Sequence, residues 1–178
     1  MIQLLNISGV CMLHPDIVVC DSCIHGKGLV ATGLICVGEV VWRTSPGMAL
    51  IPVAEVNAWS EEKRQEMHFV AYQYNEDYFI MADEADRYMN HSCDPNTWFD
   101  GADTLLARRD IQPGEEVTYD YAMTEVVGEW NMPCACGSPF CRGRVTCQDY
   151  LDPAWQARYE GHLPPHTVRA VMAARAKG

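Results

Sequence analysis

Three cysteines within eight residues, Cys134-Ala-Cys136-Gly-Ser-Pro-Phe-Cys141, constrain this chain more than any other stretch. The residues between them are small or turn-forming, so the three thiols can face one point. That array suits a Zn²⁺ ion, which takes four ligands in a tetrahedron and binds thiolate well. A fourth ligand must come from elsewhere, and Cys93, Cys147 and a histidine such as His91 are the candidates. The chain carries nine cysteines, an odd number that cannot all pair internally. Its opening, MIQLLNISGVCMLHPDIVV, lacks the basic flank of a secretory signal. These features point to an intracellular, reducing compartment and a metal site rather than a disulfide framework. Cys20 and Cys23, at the end of an apolar run, read as small core residues.

At 178 residues the chain can bury roughly 70% of its unfolded surface and needs no cross-links to fold. Its 48% apolar and 21% charged residues exclude a disordered or collagen-like chain. No apolar run approaches the ~18 residues of a membrane helix, so no membrane partner is expected. Twenty-four acidic against 13 basic residues give a net charge of −11. Such a surface repels phosphate backbones, so direct nucleic-acid binding is not expected. It attracts a basic, lysine-bearing partner.

Short β patterns dominate. Val18–Cys20, Leu29–Ala31, Val40–Trp42 and Tyr78–Met81 read as strands separated by Gly turns. Residues 97–121 read as a pair of hairpins, the first closed at Asp100–Gly101 and the second at Pro113–Gly114. Residues 55–72 read as one helix with Val56, Trp59, Met67 and Val70 on its buried face. Residues 149–178 turn helical again, with Trp155, Tyr159 and Leu163 as anchors. The expected fold class is mostly β with minor α.

Three further strings carry chemistry. Gly26-Lys27-Gly28 lets a backbone approach a ligand, although a lone G-x-G most often marks a turn. Arg87-Tyr-Met-Asn90-His91-Ser92-Cys93-Asp-Pro95-Asn96 crowds polar groups around a thiol. Gly114-Glu-Glu116-Val-Thr-Tyr119-Asp120-Tyr121 sets two phenols at i and i+2, on one face of a strand. In this order, with the cysteine array behind them, these strings resemble the SET-domain protein lysine methyltransferases over roughly residues 16–145.

The resemblance implies a fold of several small sheets, with the Asn-His segment and the segment after Tyr-Asp-Tyr threaded as a pseudoknot. It implies a SET catalytic domain over 14–125 with a short helical insert, a post-SET-like zinc knuckle over 130–147, and a C-terminal extension over 148–178. Cys93 becomes the fourth ligand beside Cys134, Cys136 and Cys141, holding one structural zinc. The implied cofactor is S-adenosylmethionine, cradled by Gly26, Lys27, Gly28 and Leu29, held by Asn90 and His91, and neighboured by Arg87 and Tyr121. Tyr121 matches the catalytic tyrosine. Tyr119 matches a position where relatives carry Phe or Tyr, and Tyr there goes with monomethylation, or at most dimethylation. The implied substrate is a lysine in a histone tail or another basic protein. The implied compartment is the nucleus in a eukaryote and the cytoplasm in a bacterium. A non-catalytic module that binds a lysine-bearing peptide is the alternative. One departure stands out: Gly38-Glu39-Val-Val-Trp42-Arg43-Thr44 lacks the tyrosine that relatives often carry there. Tyr72, Tyr74 and Tyr78 are the candidates to supply that channel wall.

Overall fold

The computed structural model describes residues 12–45, 47–68, 70–82 and 85–176. Residues 1–11, the first part of the opening segment read for a secretory pattern, lie outside the described residues. In chain order the strands are β1 (Met12–Leu13), β2 (Ile17–Asp21), β3 (Lys27–Ala31), β4 (Val40–Arg43), β5 (Leu50–Pro52), β6 (Ala71–Gln73) and β7 (Tyr78–Met81). They continue as β8 (Asn90–His91), β9 (Thr97–Asp100), β10 (Thr104–Ala107), β11 (Glu116–Tyr119), β12 (Asn131–Pro133) and β13 (Arg144–Thr146). The helices are α1 (Val53–Asn57), α2 (Glu61–Met67), α3 (Pro153–Arg158) and α4 (Pro165–Arg175). The strands form four small sheets, ordered β1-β4-β10-β9, β2-β3-β11-β8, β5-β7-β6 and β12-β13, and none closes into a barrel. The mostly-β expectation therefore holds. No helix among the described residues is long and apolar enough to cross a membrane.

Turn chemistry sets the registers. Gly26 (φ +53°) closes the β2–β3 hairpin, where the Ser22 amide donates to Gly26 O at 2.9 Å. Gly101 (φ +71°) closes β9–β10, so Phe99 faces Leu105 across the ladder. The second expected hairpin does not form. After the Pro113–Gly114 turn, β11 leaves β10 and pairs antiparallel with β3 and parallel with β8. That turn is held from β3 instead, because the Gly114 amide donates to Ala31 O at 2.7 Å.

The expected helix over 55–72 is also broken. α1 stops after Asn57, and Ser60 starts α2 by accepting from the Lys63 amide at 3.3 Å. A serine hydroxyl stabilises a helix start more than a helix interior, so the chain restarts there. Residues 71–73 then pair with β7 as a strand. The expected buried face survives the break, since Val56 and Met67 still pack with Ala71 and Phe79. Of the two cysteines read as core, Cys20 is half-buried and Cys23 is exposed; the β2–β3 turn carries Cys23 to the surface.

The main core gathers Leu29, Val41, Phe99, Leu105, Val117, Met123 and Val145 from several sheets. The tail joins it through Trp155 and Tyr159, both buried, while Leu163 packs at the edge. Burying the Trp155 and Tyr159 side chains contributes about 1.5–3 kcal/mol each, part of what holds residues 149–175 against the body.

Candidate active site and metal centre

The sheet β2-β3-β11-β8 brings the three motif strings together. Gly28 and Leu29 lie on β3, Glu116–Tyr119 on β11, and Asn90 and His91 on β8, beside Thr118 and Tyr119 in the parallel pairing. The Asn90 amide ties them further. Its Nδ2 donates to Lys27 O at 2.9 Å, His25 O at 3.1 Å and Glu116 Oε1 at 2.7 Å. A Cβ at Gly28 would collide with the Glu116 carboxyl, so glycine lets that carboxylate lie against β3 without moving. The close neighbour of Gly28 is therefore a side chain of this chain. Lys27 is exposed, near Asp21 at 3.9 Å. Arg87 is exposed on a single 3-10 turn over Asp86–Tyr88.

Tyr121 sits beyond the end of β11, where Asp120 accepts from the Ala122 amide at 3.1 Å and starts another 3-10 turn. The two phenols thus do not share a strand face, yet the bend leaves their rings 4.8 Å apart. The Tyr121 hydroxyl donates to Met89 O at 2.9 Å, and its amide donates to His91 Nδ1 at 3.2 Å. Burial raises both phenols above the ordinary tyrosine range, so both stay protonated. Burial also lowers His91 to about 4, against the attraction of Asp120, so its ring is neutral near pH 7.

Tyr119 and Tyr121 border a cavity of about 60 Å³. Its walls include Trp42, Tyr72, Phe99 and Trp130. Of the three tyrosines considered for the missing wall, only Tyr72 borders it. Tyr74 donates to Asp103 Oδ1 at 2.8 Å on the surface, and Tyr78 is exposed. Tyr72 meets Trp42 edge-on at 5.9 Å, so a tryptophan on the strand that lacks the tyrosine contributes as well. Sequence reasoning missed Trp42, Phe99 and Trp130, which read as ordinary core residues. It also missed His68 and Glu125, isolated polar residues beside apolar ones.

The cysteine expectation is met in space. The thiol sulfurs of Cys93, Cys134, Cys136 and Cys141 all lie within 4.8 Å of one another. Cys93–Cys134 and Cys134–Cys141 are each 3.8 Å apart. A tetrahedron with zinc–sulfur arms of ~2.3 Å has edges of about 3.8 Å, so donor set and spacing both fit Zn²⁺. Of the other candidates, Cys147 donates to Gly128 O at 3.0 Å, and His91 Nε2 lies 3.3 Å from Cys93 Sγ but does not join the group of four. Burial lifts the Cys93 thiol to about 11. Burial opposes the drop at Cys136, but amide hydrogen bonds from Cys93 and Ser138 hold it at about 7.

Asp120, fully buried, joins this centre to the phenols. Its carboxylate accepts from Arg142 NH1 and NH2 at 2.7 Å each, from Trp155 Nε1 at 3.0 Å and from the Tyr159 hydroxyl at 3.1 Å. Arg142 follows the last knuckle cysteine, and its amide donates to Cys93 Sγ at 3.4 Å. Burial alone would raise the Asp120 carboxyl, but Arg142 more than offsets it and holds the group below the ordinary range.

Comparison with known proteins agrees with this geometry. Residues 26–122 match the family model described as SET domain. The chain is 31% identical over 130 residues to "Histone-lysine N-methyltransferase ASHH3" of Arabidopsis thaliana, covering 67% of this chain and 35% of that protein. It is 32% identical over 137 residues to "Histone-lysine N-methyltransferase 2B" of Homo sapiens, covering 68% of this chain and 5% of that one. It is 44% identical over 64 residues to "Histone-lysine N-methyltransferase TRX1" of Oryza sativa subsp. japonica, covering 32% and 6%. This chain belongs to the SET-domain family, with a thiolate cluster of the post-SET kind behind its catalytic motifs. It spans about a third or less of the length of these curated relatives.

Proposed function

We propose that the protein is an S-adenosylmethionine-dependent protein-lysine N-methyltransferase acting on a histone tail or another basic protein. The observation that carries the reading is the meeting of Asn90, His91 and Tyr121 beside an aromatic cavity, in a chain of this family. The cofactor, when bound, supplies an electrophilic methyl group. The polar groups near β3 suit its amino-acid moiety: His25 O, Lys27 O and the half-buried Glu116 carboxylate can accept from an ammonium, and Lys27 and Arg87 offer cations to a carboxylate. Asn90 and His91 would hold it from β8. A zinc ion would be held by Cys93, Cys134, Cys136 and Cys141 as a structural clamp. These thiols need a reducing compartment.

Free lysine has a pKa near 10.4 and is mostly protonated at neutral pH, without a lone pair to attack. The aromatic walls of Trp42, Tyr72, Tyr119 and Tyr121 strip water from the side chain and favour the neutral amine. They also align it, and holding the nitrogen about 3–3.5 Å from the methyl carbon supplies much of the acceleration. Tyr121, which borders the same cavity, would orient the acceptor nitrogen. The Tyr119 hydroxyl limits the room beside that nitrogen, which favours monomethyl product. The acidic surface, net −11, draws a basic chain to the mouth.

The test is transfer of labelled methyl from S-adenosylmethionine to core histones and to lysate protein, followed by peptide mapping. Label on lysine that disappears with Tyr121→Phe is the expected result. A protein that binds lysine peptides without any transfer would instead be the non-catalytic module.

A further inference from the structure

Two acids border the aromatic cavity and the mechanism above uses neither: Asp86 accepts from Trp42 Nε1 at 2.8 Å, and the other is Glu125. Glu125 lies four residues past Tyr121 and is 4% exposed. One carboxyl oxygen is anchored: Oε1 accepts from the Gln73 amide at 2.8 Å and from the Thr124 hydroxyl at 3.4 Å. The other, Oε2, is buried and has no hydrogen-bond partner among the described residues. Glu125 and its neighbour His68 border the same cavity as Tyr72, Tyr119, Tyr121 and Trp130. A buried carboxyl oxygen without a donor is costly unless something brings one. In a water-poor cavity a carboxylate can bind an organic ammonium and take its proton, because burial disfavours both charges.

We propose that Glu125 Oε2 receives the substrate lysine's ammonium in this cavity and takes its proton before methyl transfer. The idea rests on the methyltransferase reading. In the step, one N–H bond of the ammonium breaks and an O–H bond forms on Oε2. The electron pair stays on nitrogen and is then free to attack the methyl carbon. The methylated product leaves as a cation, and the proton on Glu125 returns to water past His68, whose Nδ1 is 3.6 Å from Oε2 and whose side chain is 14% exposed.

The surrounding groups leave this role open to Glu125. Burial and the Arg64 charge lower His68 to about 4, so His68 is neutral near pH 7 and does not pair with the carboxylate as a cation. Burial, opposed by the two hydrogen bonds on Oε1, pushes Glu125 up to about 7, a value matched to accepting and releasing a proton at neutral pH. The other titratable groups around it are the phenols of Tyr119 and Tyr121 and the thiol of Cys147, all held protonated by burial. Asp86 and Arg87 border the cavity from the 3-10 turn over Asp86–Tyr88, and Asp86 accepts from Trp42 Nε1 at 2.8 Å.

The Gln73 amide reports on Glu125 directly, so its ¹H–¹⁵N resonance can be followed against pH. The probes are n-butylammonium chloride, which mimics the lysine side chain, and n-butanol, its neutral counterpart. In the wild type the resonance should titrate near pH 7. Butylammonium should lower that midpoint by at least half a pH unit and butanol should leave it in place. A midpoint that butylammonium does not move overturns the proposal, and this arm needs no variant. Glu125→Gln keeps the Gln73 contact and should lose both the titration and the preference for butylammonium over butanol. It should also lower kcat about a hundredfold and abolish the wild-type acid limb near pH 7, with cofactor affinity unchanged by calorimetry. A variant with the wild-type pH profile overturns the proposal. A wild type that transfers no methyl to lysine refutes the proposed function instead, and the butylammonium titration still decides whether Glu125 is the ammonium receptor.

Discussion

Asp120→Asn tests whether the buried carboxylate holds the active-site segment in place. The change keeps the shape and removes the charge. On one side Oδ1 faces Arg142 NH2 and the Ala122 amide; on the other Oδ2 faces Arg142 NH1, Trp155 Nε1 and the Tyr159 hydroxyl. Either orientation of the new amide points its NH₂ at donors, so at least one charge-assisted hydrogen bond is lost, worth about 1.5–3 kcal/mol. Breaking a buried ion pair on one side costs about 3–5 kcal/mol. Arg142 softens that loss, because it is 21% exposed and keeps Asp149 Oδ2 at 2.8 Å. The two figures overlap in what they count, so the expected loss is about 4 kcal/mol, or about 10 °C in Tm for a chain this long. Urea unfolding of the zinc-loaded protein at pH 7 measures it. The sign with pH follows from the lowered carboxyl. The contribution is present above the unfolded value near 3.8 and is lost as pH falls through the folded value, so the gap between wild type and variant closes in acid. A loss below about 1 kcal/mol at pH 7, or a gap constant down to pH 2, would refute the reasoning.

Three other outcomes follow from the same geometry. Removing zinc with a chelator should lower both the melting temperature and methyl transfer, since Arg142 couples the thiolates to Asp120; full activity in metal-free protein counts against it. Tyr119→Phe should shift product from monomethyl toward di- and trimethyl lysine by mass spectrometry, and an unchanged distribution, or abundant trimethyl product from wild type, would end that idea. Glu125 gives a stability slope of opposite sign to Asp120. Its folded value of about 7 stands above the ordinary 4.5, so its support for the fold is complete below 4.5 and is lost as pH rises through 7. Relative to Glu125→Gln, the wild type should lose roughly 3 kcal/mol between pH 4.5 and 7, read from urea midpoints.

What the sequence disclosed depended on how local each signal was. The cysteine array was legible because three ligands sit within eight residues; the fourth, Cys93, is 41 positions before Cys134, and spacing could not choose it over Cys147. Asn90, His91, Tyr119 and Tyr121 could be read as separate motifs. Their union depends on β8 lying parallel to β11, a non-local pairing that no periodicity encodes. The single helix over 55–72 was misread because its apolar face continues across the Ser60 cap, and a hydrophobic period does not register a restart. Pro113–Gly114 did make a turn, but a turn residue does not say which strand receives the chain afterwards. Glu125 carried no signal at all. A lone acid in Ala-Met-Thr-Glu-Val-Val reads as solvated, and only the fold shows it buried against Gln73.

The segment from Asp120 to Glu125 explains why the knuckle and the tail belong with the active site. It leaves β11 and forms a 3-10 turn over Tyr121–Met123, too short to hold itself. Partners from later in the chain supply what it lacks. Arg142 of the knuckle and Trp155 and Tyr159 around α3 bind the Asp120 carboxylate before Tyr121. Beyond it, Thr167 of α4 donates to Met123 O at 2.6 Å, and His166 Nε2 lies 2.8 Å from Thr124 O. The phenol at the centre is thus clamped on both sides by residues with no motif of their own. In the role proposed for it, Tyr121 would lose effect with displacements of about 1 Å, so its placement depends on the thiol cluster and the tail as much as on the sheet that delivers it.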